Sequence, residues 1–233
     1  MSSRTTPQGT LALIGGGEWG EHHQALDRRL LEISGGSEVV VLPTAASYEH
    51  PDRVADVAAA HFSPLGVTTT TLRVLNRRDA EDPANVAVVK QAKFVYITDG
   101  SPMHLRSVLK SSALYEAMLA AYHEGAVIAA SGAGATVLCD PMVDPRGGAY
   151  TVGLGFVAGL AVFPNHDTAP NHLLQRSIEL KPSDAILVGI DAETALVREP
   201  GAVWSVAGLG AVTVYTDGDP AAYTAGVTGL ALP

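Results

Sequence analysis

Gly125 to Asp140 reads Gly-Ala-Val-Ile-Ala-Ala-Ser-Gly-Ala-Gly-Ala-Thr-Val-Leu-Cys-Asp, an apolar run, a cluster of very small residues and a second apolar run. A buried strand that enters a helix through a sharp turn has this pattern, and a nucleophile elbow is built this way. Centring the usual G-x-S-x-G spacing on Ala130 and Gly134 puts the nucleophile at position 132, which is glycine, while a serine stands one place earlier at Ser131. The scaffold of a serine hydrolase is present, and its central hydroxyl is not at the expected place. His166, between Asn165 and Asp167 after an apolar run, is placed as a general base at a strand end. Asp99-Gly100-Ser101 precedes a helix, so its backbone N–H groups are candidates for an oxyanion hole. Behind the elbow, Asp144 or Asp140 is positioned to orient a histidine, and Arg146 to hold a substrate carboxylate by a bidentate pair. An internal Asp144–Arg146 structural pair fits the same spacing.

Other residue groupings carry less. Gly15-Gly16-Gly17 follows a β-rich run and meets the G-x-G-x-x-G spacing with Gly20, but the second strand ends at Leu42-Pro43-Thr44 without a ribose-binding acid. These glycines fit a tight turn, or a backbone that approaches a ligand at Gly16. Glu18, Glu21 and His22 lack any metal-binding spacing, so no metal is expected. The lone Cys139 reads as a buried thiol about two turns into the post-elbow helix and excludes an internal disulfide.

The elements that must position these groups alternate along the chain. Strands are expected at 10–14, 38–42, 68–74, 94–98 and 126–130, and helices at 24–33, 52–62, 87–92 and 105–122. That alternation predicts a mostly parallel sheet with helices on both faces and ligands beyond the carboxyl ends of the strands. Short strands at 185–190, 194–197, 203–206 and 211–215 read as hairpins that extend one edge of the sheet. A single α/β domain over 1–233 is expected, since no linker, repeat or low-complexity tract interrupts the chain. Fifteen basic against 24 acidic residues give a net charge of −9, which argues against nucleic acid or an anionic membrane as a partner. No apolar run reaches a membrane span, Met1 to Gly9 lacks an apolar signal region, and a cytoplasmic protein is expected.

Taken in order, Gly15-Gly16-Gly17, Leu42-Pro43-Thr44-Ala45, Thr98-Asp99-Gly100-Ser101-Pro102, the small-residue elbow, Asn165-His166-Asp167 and Gly189-Ile190-Asp191-Ala192-Glu193-Thr194-Ala195-Leu196 resemble the peptidase S51 family. This family includes dipeptidase E and cyanophycinase. The resemblance implies a three-layer α/β sandwich like the class I glutamine amidotransferase domain, with flavodoxin-like layering. It also implies serine hydrolysis of peptide bonds next to aspartate, with no cofactor, on a small peptide or amino-acid-derived substrate. Family analogy suggests a homodimer. The family elbow reads Ser-Ala-Gly-Ala, and Gly132-Ala133-Gly134-Ala135 aligns with it, which puts Ala133 beside the oxyanion hole. Three departures are expected to matter: Gly132 in place of serine, Asp99 in place of a glycine, and Ala192 where an acid often follows Asp191. Three functions follow: hydrolysis by Ser131 or by a water that His166 activates, binding of a peptide or metabolite without catalysis, and non-hydrolytic acid–base chemistry at His166.

Overall fold

A computed structural model describes residues 9–20 and 22–233. Met1 to Gln8, part of the segment read for a signal region, and Glu21, one of the residues weighed for a metal, lie outside the described residues. Five parallel strands make up the larger part of the main sheet: β1 (Thr10–Ile14), β2 (Glu38–Leu42), β3 (Thr68–Thr71), β4 (Phe94–Ile97) and β5 (Val127–Ser131). Their spatial order is β1-β5-β4-β2-β3, with Ile14 paired to Ser131 and Ile97 to Ala130. β1, β4 and β5 are buried along their whole length and apolar on both faces, as a strand covered on two sides requires.

The sheet divides the interior into two apolar layers. Ala12 and Ile14 of β1 face α1 (His23–Ser34) and α2 (Pro51–Phe62), through Leu26, Leu30, Ala58 and Phe62. Leu11 and Leu13 face the opposite layer, which contains α3 (Arg77–Ala80), α4 (Pro83–Gln91), α5 (Pro102–Leu109), α6 (Ala113–His123) and α7 (Ala133–Leu138). This is the three-layer α/β arrangement that the alternating pattern predicts. The helix expected over 105–122 is two helices. Ser111 takes a positive φ of 55° between them, and the Ser112 side chain accepts the Tyr115 N–H to start the second.

The C-terminal strands do not all extend one edge. Thr194–Glu199, Val203–Gly208 and Thr228–Leu230 continue the main sheet antiparallel beyond β1. Leu160–Pro164 and Ile186–Ile190 pair parallel in a second, six-stranded sheet that also holds Ala211–Tyr215 and Ala221–Thr224. α7 is also shorter than the post-elbow helix of the sequence reading. Cys139 therefore starts a short strand that pairs with Val157, rather than lying two turns along a helix. Its thiol is fully buried, and burial pushes its pKa up to about 12. A last α-helix, α8 (Asn171–Glu179), covers the second sheet, with Leu173, Leu174 and Ile178 against Ala161, Phe163 and Leu187. Among the described residues no helix is long and apolar enough to cross a membrane.

Beneath α1 the core carries a polar group. His23 and Asp27, one helical turn apart on the same face, are both buried, and His61 of α2 meets Asp27 with Nε2 2.7 Å from Oδ2. Trp19 packs near the same place, 5.4 Å from the His61 ring and 4.7 Å from Tyr96.

Candidate active site

The carboxyl ends of β1, β4 and β5 and the end of the Leu160–Pro164 strand converge on the elbow. Ser131 ends β5, and Gly132 turns the chain with φ 49° and ψ −106°, a left-handed conformation that L side chains adopt only under strain. Its N–H donates to Ile14 O at 2.9 Å, which clips the turn to β1, and its carbonyl accepts Thr136 N–H at 3.1 Å to begin α7. The backbone thus has an elbow's sharp apex, and no side chain projects from it.

Asp99 fills the space at the apex. A Cβ placed on Gly132 would fall well inside van der Waals contact of all three atoms of the Asp99 carboxyl group. Asp99 Oδ1 accepts the N–H of Gly100 and the N–H of Ala133, both at 2.7 Å. These two amides, one from the β4 loop and one from the start of α7, are the donors that the sequence reading assigns to an oxyanion hole. Gly100 reaches this position because it has no side chain. At φ 143° a Cβ there would strike the Ala45 carbonyl, and the neighbouring Ser101 N–H donates to that carbonyl at 2.8 Å. The Leu42-Pro43-Thr44-Ala45 motif therefore grips the β4 loop from behind.

Ser131 is not at the apex. It is fully buried, and its hydroxyl donates to Glu18 Oε2. Glu18 Oε1 in turn accepts the Asp99 N–H at 2.8 Å, so one carboxyl group ties the glycine loop, the β4 loop and the end of β5 together. Sequence reasoning gave Glu18 no such role, because its partners lie 81 and 113 residues away. Burial raises the Glu18 pKa above its ordinary 4.5, and the nearby Asp99 charge adds to the rise, while the Ser131 and Asp99 hydrogen bonds lower it. Gly16 carries the other side of the loop: its carbonyl accepts Glu193 N–H at 2.9 Å and the Asn165 side chain lies against it.

His166 is oriented by Asp191, not by Asp144 or Asp140. Its Nδ1 lies 3.0 Å from Asp191 Oδ1, and its Nε2 lies 2.8 Å from the Tyr215 hydroxyl. An ionised carboxylate only accepts, so Nδ1 is the donor, and Nε2 of a neutral ring accepts from Tyr215. Asp191 Oδ2 also accepts the Ala211 N–H at 2.8 Å, which fixes the carboxylate. Burial and the Asp191 charge raise the Tyr215 pKa, so the phenol keeps its proton. Parallel register pairs Pro164 with Ile190, so the residues just past these two strand ends are neighbours. No local sequence feature marks that pairing, which is why Asp191 carries no role in the sequence reading. Asp144 instead receives Nε and Nη2 of Arg146, and that bond holds its carboxyl below the ordinary value. Arg146 is exposed and paired with Asp144, the structural pair weighed in the sequence.

Two cavities meet at Asp99 and Gly100. The first, about 420 Å³, runs along Pro102, Ala133, Val143, Phe163, Asn165 and Leu173. The second, about 590 Å³ and more open, is bordered by Glu18, Trp19, Glu49, His50 and Arg53. His166 lines neither.

The sequence profile of Peptidase family S51 matches residues 11–204. The chain belongs to peptidase family S51. It is similar in structure to a peptidase from an acI-B1 Actinobacterium, with a TM-score of 0.87 and 29% identity over 96% of this chain and 97% of that one. A putative peptidase E protein from Listeria monocytogenes EGD-e shares the fold, with a TM-score of 0.65 and 16% identity over 86% of this chain and 98% of that one. A search of curated proteins finds no match. Membership of S51 and these neighbours support a peptidase-like function.

The Glu18 shift makes a testable prediction for this S51 protein. A folded-state pKa above the unfolded value favours the fold while both states hold the proton, below about 4.5, and that advantage is lost as pH rises through the folded value. Urea unfolding of the wild type from pH 4.5 to 8 should therefore show a stability loss with rising pH that Glu18→Gln lacks. Parallel pH profiles for the two proteins would show that Glu18 titrates normally.

Proposed function

We propose that this S51 protein binds a small peptide- or amino-acid-derived ligand in the apolar cavity beside the elbow, without forming a serine acyl-enzyme. The observation that carries this reading is the Asp99 carboxylate, which sits at the apex of the turn and takes both N–H donors. Acyl transfer needs a nucleophile at the apex and donors free to receive a developing oxyanion. Gly132 offers no nucleophile, and an incoming oxyanion would meet a carboxylate already in its place. Ser131, enclosed beneath the elbow and bonded to Glu18, does not face either cavity. The cavity volume of about 420 Å³ lies within the range of small-ligand sites, roughly 300–1,000 Å³. The peptidase lineage supports a ligand of peptide-like chemistry.

Acid–base chemistry at His166 is the second reading, favoured by the intact Asp191–His166–Tyr215 chain. One set of experiments separates the two. Calorimetric titration with a panel of dipeptides and amino-acid derivatives should give saturable binding with no new product by mass spectrometry. His166→Ala should leave that binding within about twofold. Turnover abolished by Ser131→Ala would overturn the proposal in favour of hydrolysis, and turnover abolished by His166→Ala would establish the second reading.

A further inference from the structure

We infer that the ligand of the elbow cavity is a cation, a protonated amine on an apolar body, with Asp99 as its counter-ion. The inference rests on the binding reading above and adds the charge of what is bound. Among the described residues lining the 420 Å³ cavity Asp99 is the one charged group, with no Lys, Arg or His beside it. The walls are largely apolar, with Pro102, Val143, Phe163 and Leu173 among them, and the other polar side chains are Thr136, Asn165 and Thr168. Asp99 Oδ1 is held by two N–H groups, whereas among the described residues no hydrogen bond reaches Oδ2. The carboxylate is thus fixed in orientation by one oxygen and keeps the other for a donor.

The electrostatics select against an anion. A ligand carboxylate would lie against Asp99 with no cation in the wall to offset the repulsion, and the apolar surroundings weaken screening. Arg146, the residue whose type suits an acidic substrate, is exposed and held by Asp144. The protein's net charge of −9 adds a long-range preference of the same sign. An ammonium group satisfies the spare Asp99 oxygen, and the apolar walls take its body. The cavity chemistry therefore favours an amine over the aspartyl peptides that the resemblance implies.

Calorimetry at neutral pH with three matched probes tests this on the unmodified protein. Leucinamide carries the ammonium, N-acetyl-leucinamide is its neutral counterpart, and N-acetyl-leucine is the anion. Leucinamide should bind at least tenfold tighter than either of the others, and Asp99→Asn, which retains an acceptor for the two N–H groups, should remove most of that difference. The comparison among probes stands even if the variant folds poorly. Tighter binding of the neutral or anionic probe would overturn the charge assignment and leave the binding reading intact. Failure of all three probes and of the wider dipeptide panel would overturn both. Equal leucinamide binding by the wild type and a folded Asp99→Asn would reject Asp99 as the counter-ion.

Discussion

Gly132→Ser alone is expected to destabilise the protein by about 2–6 kcal/mol and to give no labelling by a fluorophosphonate probe. A side chain at φ 49° costs about 1–3 kcal/mol in backbone strain. The new Cβ must also displace the Asp99 carboxyl group, and overpacking of this kind adds about 1–3 kcal/mol. Moving Asp99 leaves the Gly100 and Ala133 N–H groups without their acceptor. The hydroxyl gains no base in exchange, because both nitrogens of His166 are engaged with Asp191 and Tyr215. Adding Asp99→Gly to Gly132→Ser should recover at least about 1 kcal/mol, a coupling expected of residues in direct contact. Urea unfolding of the two single variants and the double variant measures it. Additive effects, or rapid labelling of Gly132→Ser, would show that Asp99 does not occupy the serine's space.

Asp27→Ala is expected to cost about 2–4 kcal/mol, between the penalty for orphaning a buried hydrogen-bond partner and that for breaking a buried ion pair. Asp27 is fully buried, and its loss leaves His61 without its partner on α1. The same group gives the stability an acid limb. Burial lowers the His23 pKa below 6.5, against the smaller upward pull of Asp27, Glu193 and the Gly16 carbonyl, while His61 lowers it slightly further. A depressed folded-state value means that the unfolded chain takes the proton first. Stability contributed by neutral His23 is present above about 6.5 and is lost as pH falls toward the folded value. Denaturant midpoints between pH 5 and 8 should fall on the acid side in the wild type and less so in His23→Gln. An unchanged acid limb in that variant would assign the slope to other groups.

The alternation of apolar strands and amphipathic helices was enough to place the central strands within a few residues, because each strand's burial is written in its own composition. The elbow was legible for the same reason: small residues flank a single turn. What was not legible was pairing between distant side chains. Gly132 and Asp99 read as two separate departures from the S51 pattern, yet in space they are one, the carboxylate filling the volume that the glycine vacates. Asp191 sits within a family-like motif with no role marked by its neighbours, because its partnership with His166 depends on the parallel register of two strands in a second sheet. The sequence pattern does not announce that sheet. Hairpin-like spacing says that strands are antiparallel neighbours but not which sheet they join, and so the final strands read as a single extension. Ser131 looked available in sequence because nothing local shows that Glu18 reaches it from the first loop.

Cys139 gives the molecule an internal clock. Its thiol follows directly from the end of α7, is shielded from solvent, and has its pKa pushed up to about 12, so at neutral pH it is almost entirely in the unreactive form. Alkylation at that sulfur therefore waits for the segment behind the elbow to open, and the modification rate counts those openings. A ligand seated against Ala133 that steadies α7 would slow the clock, so occupancy of the cavity can be read from the native chain by mass alone, with no reporter group attached.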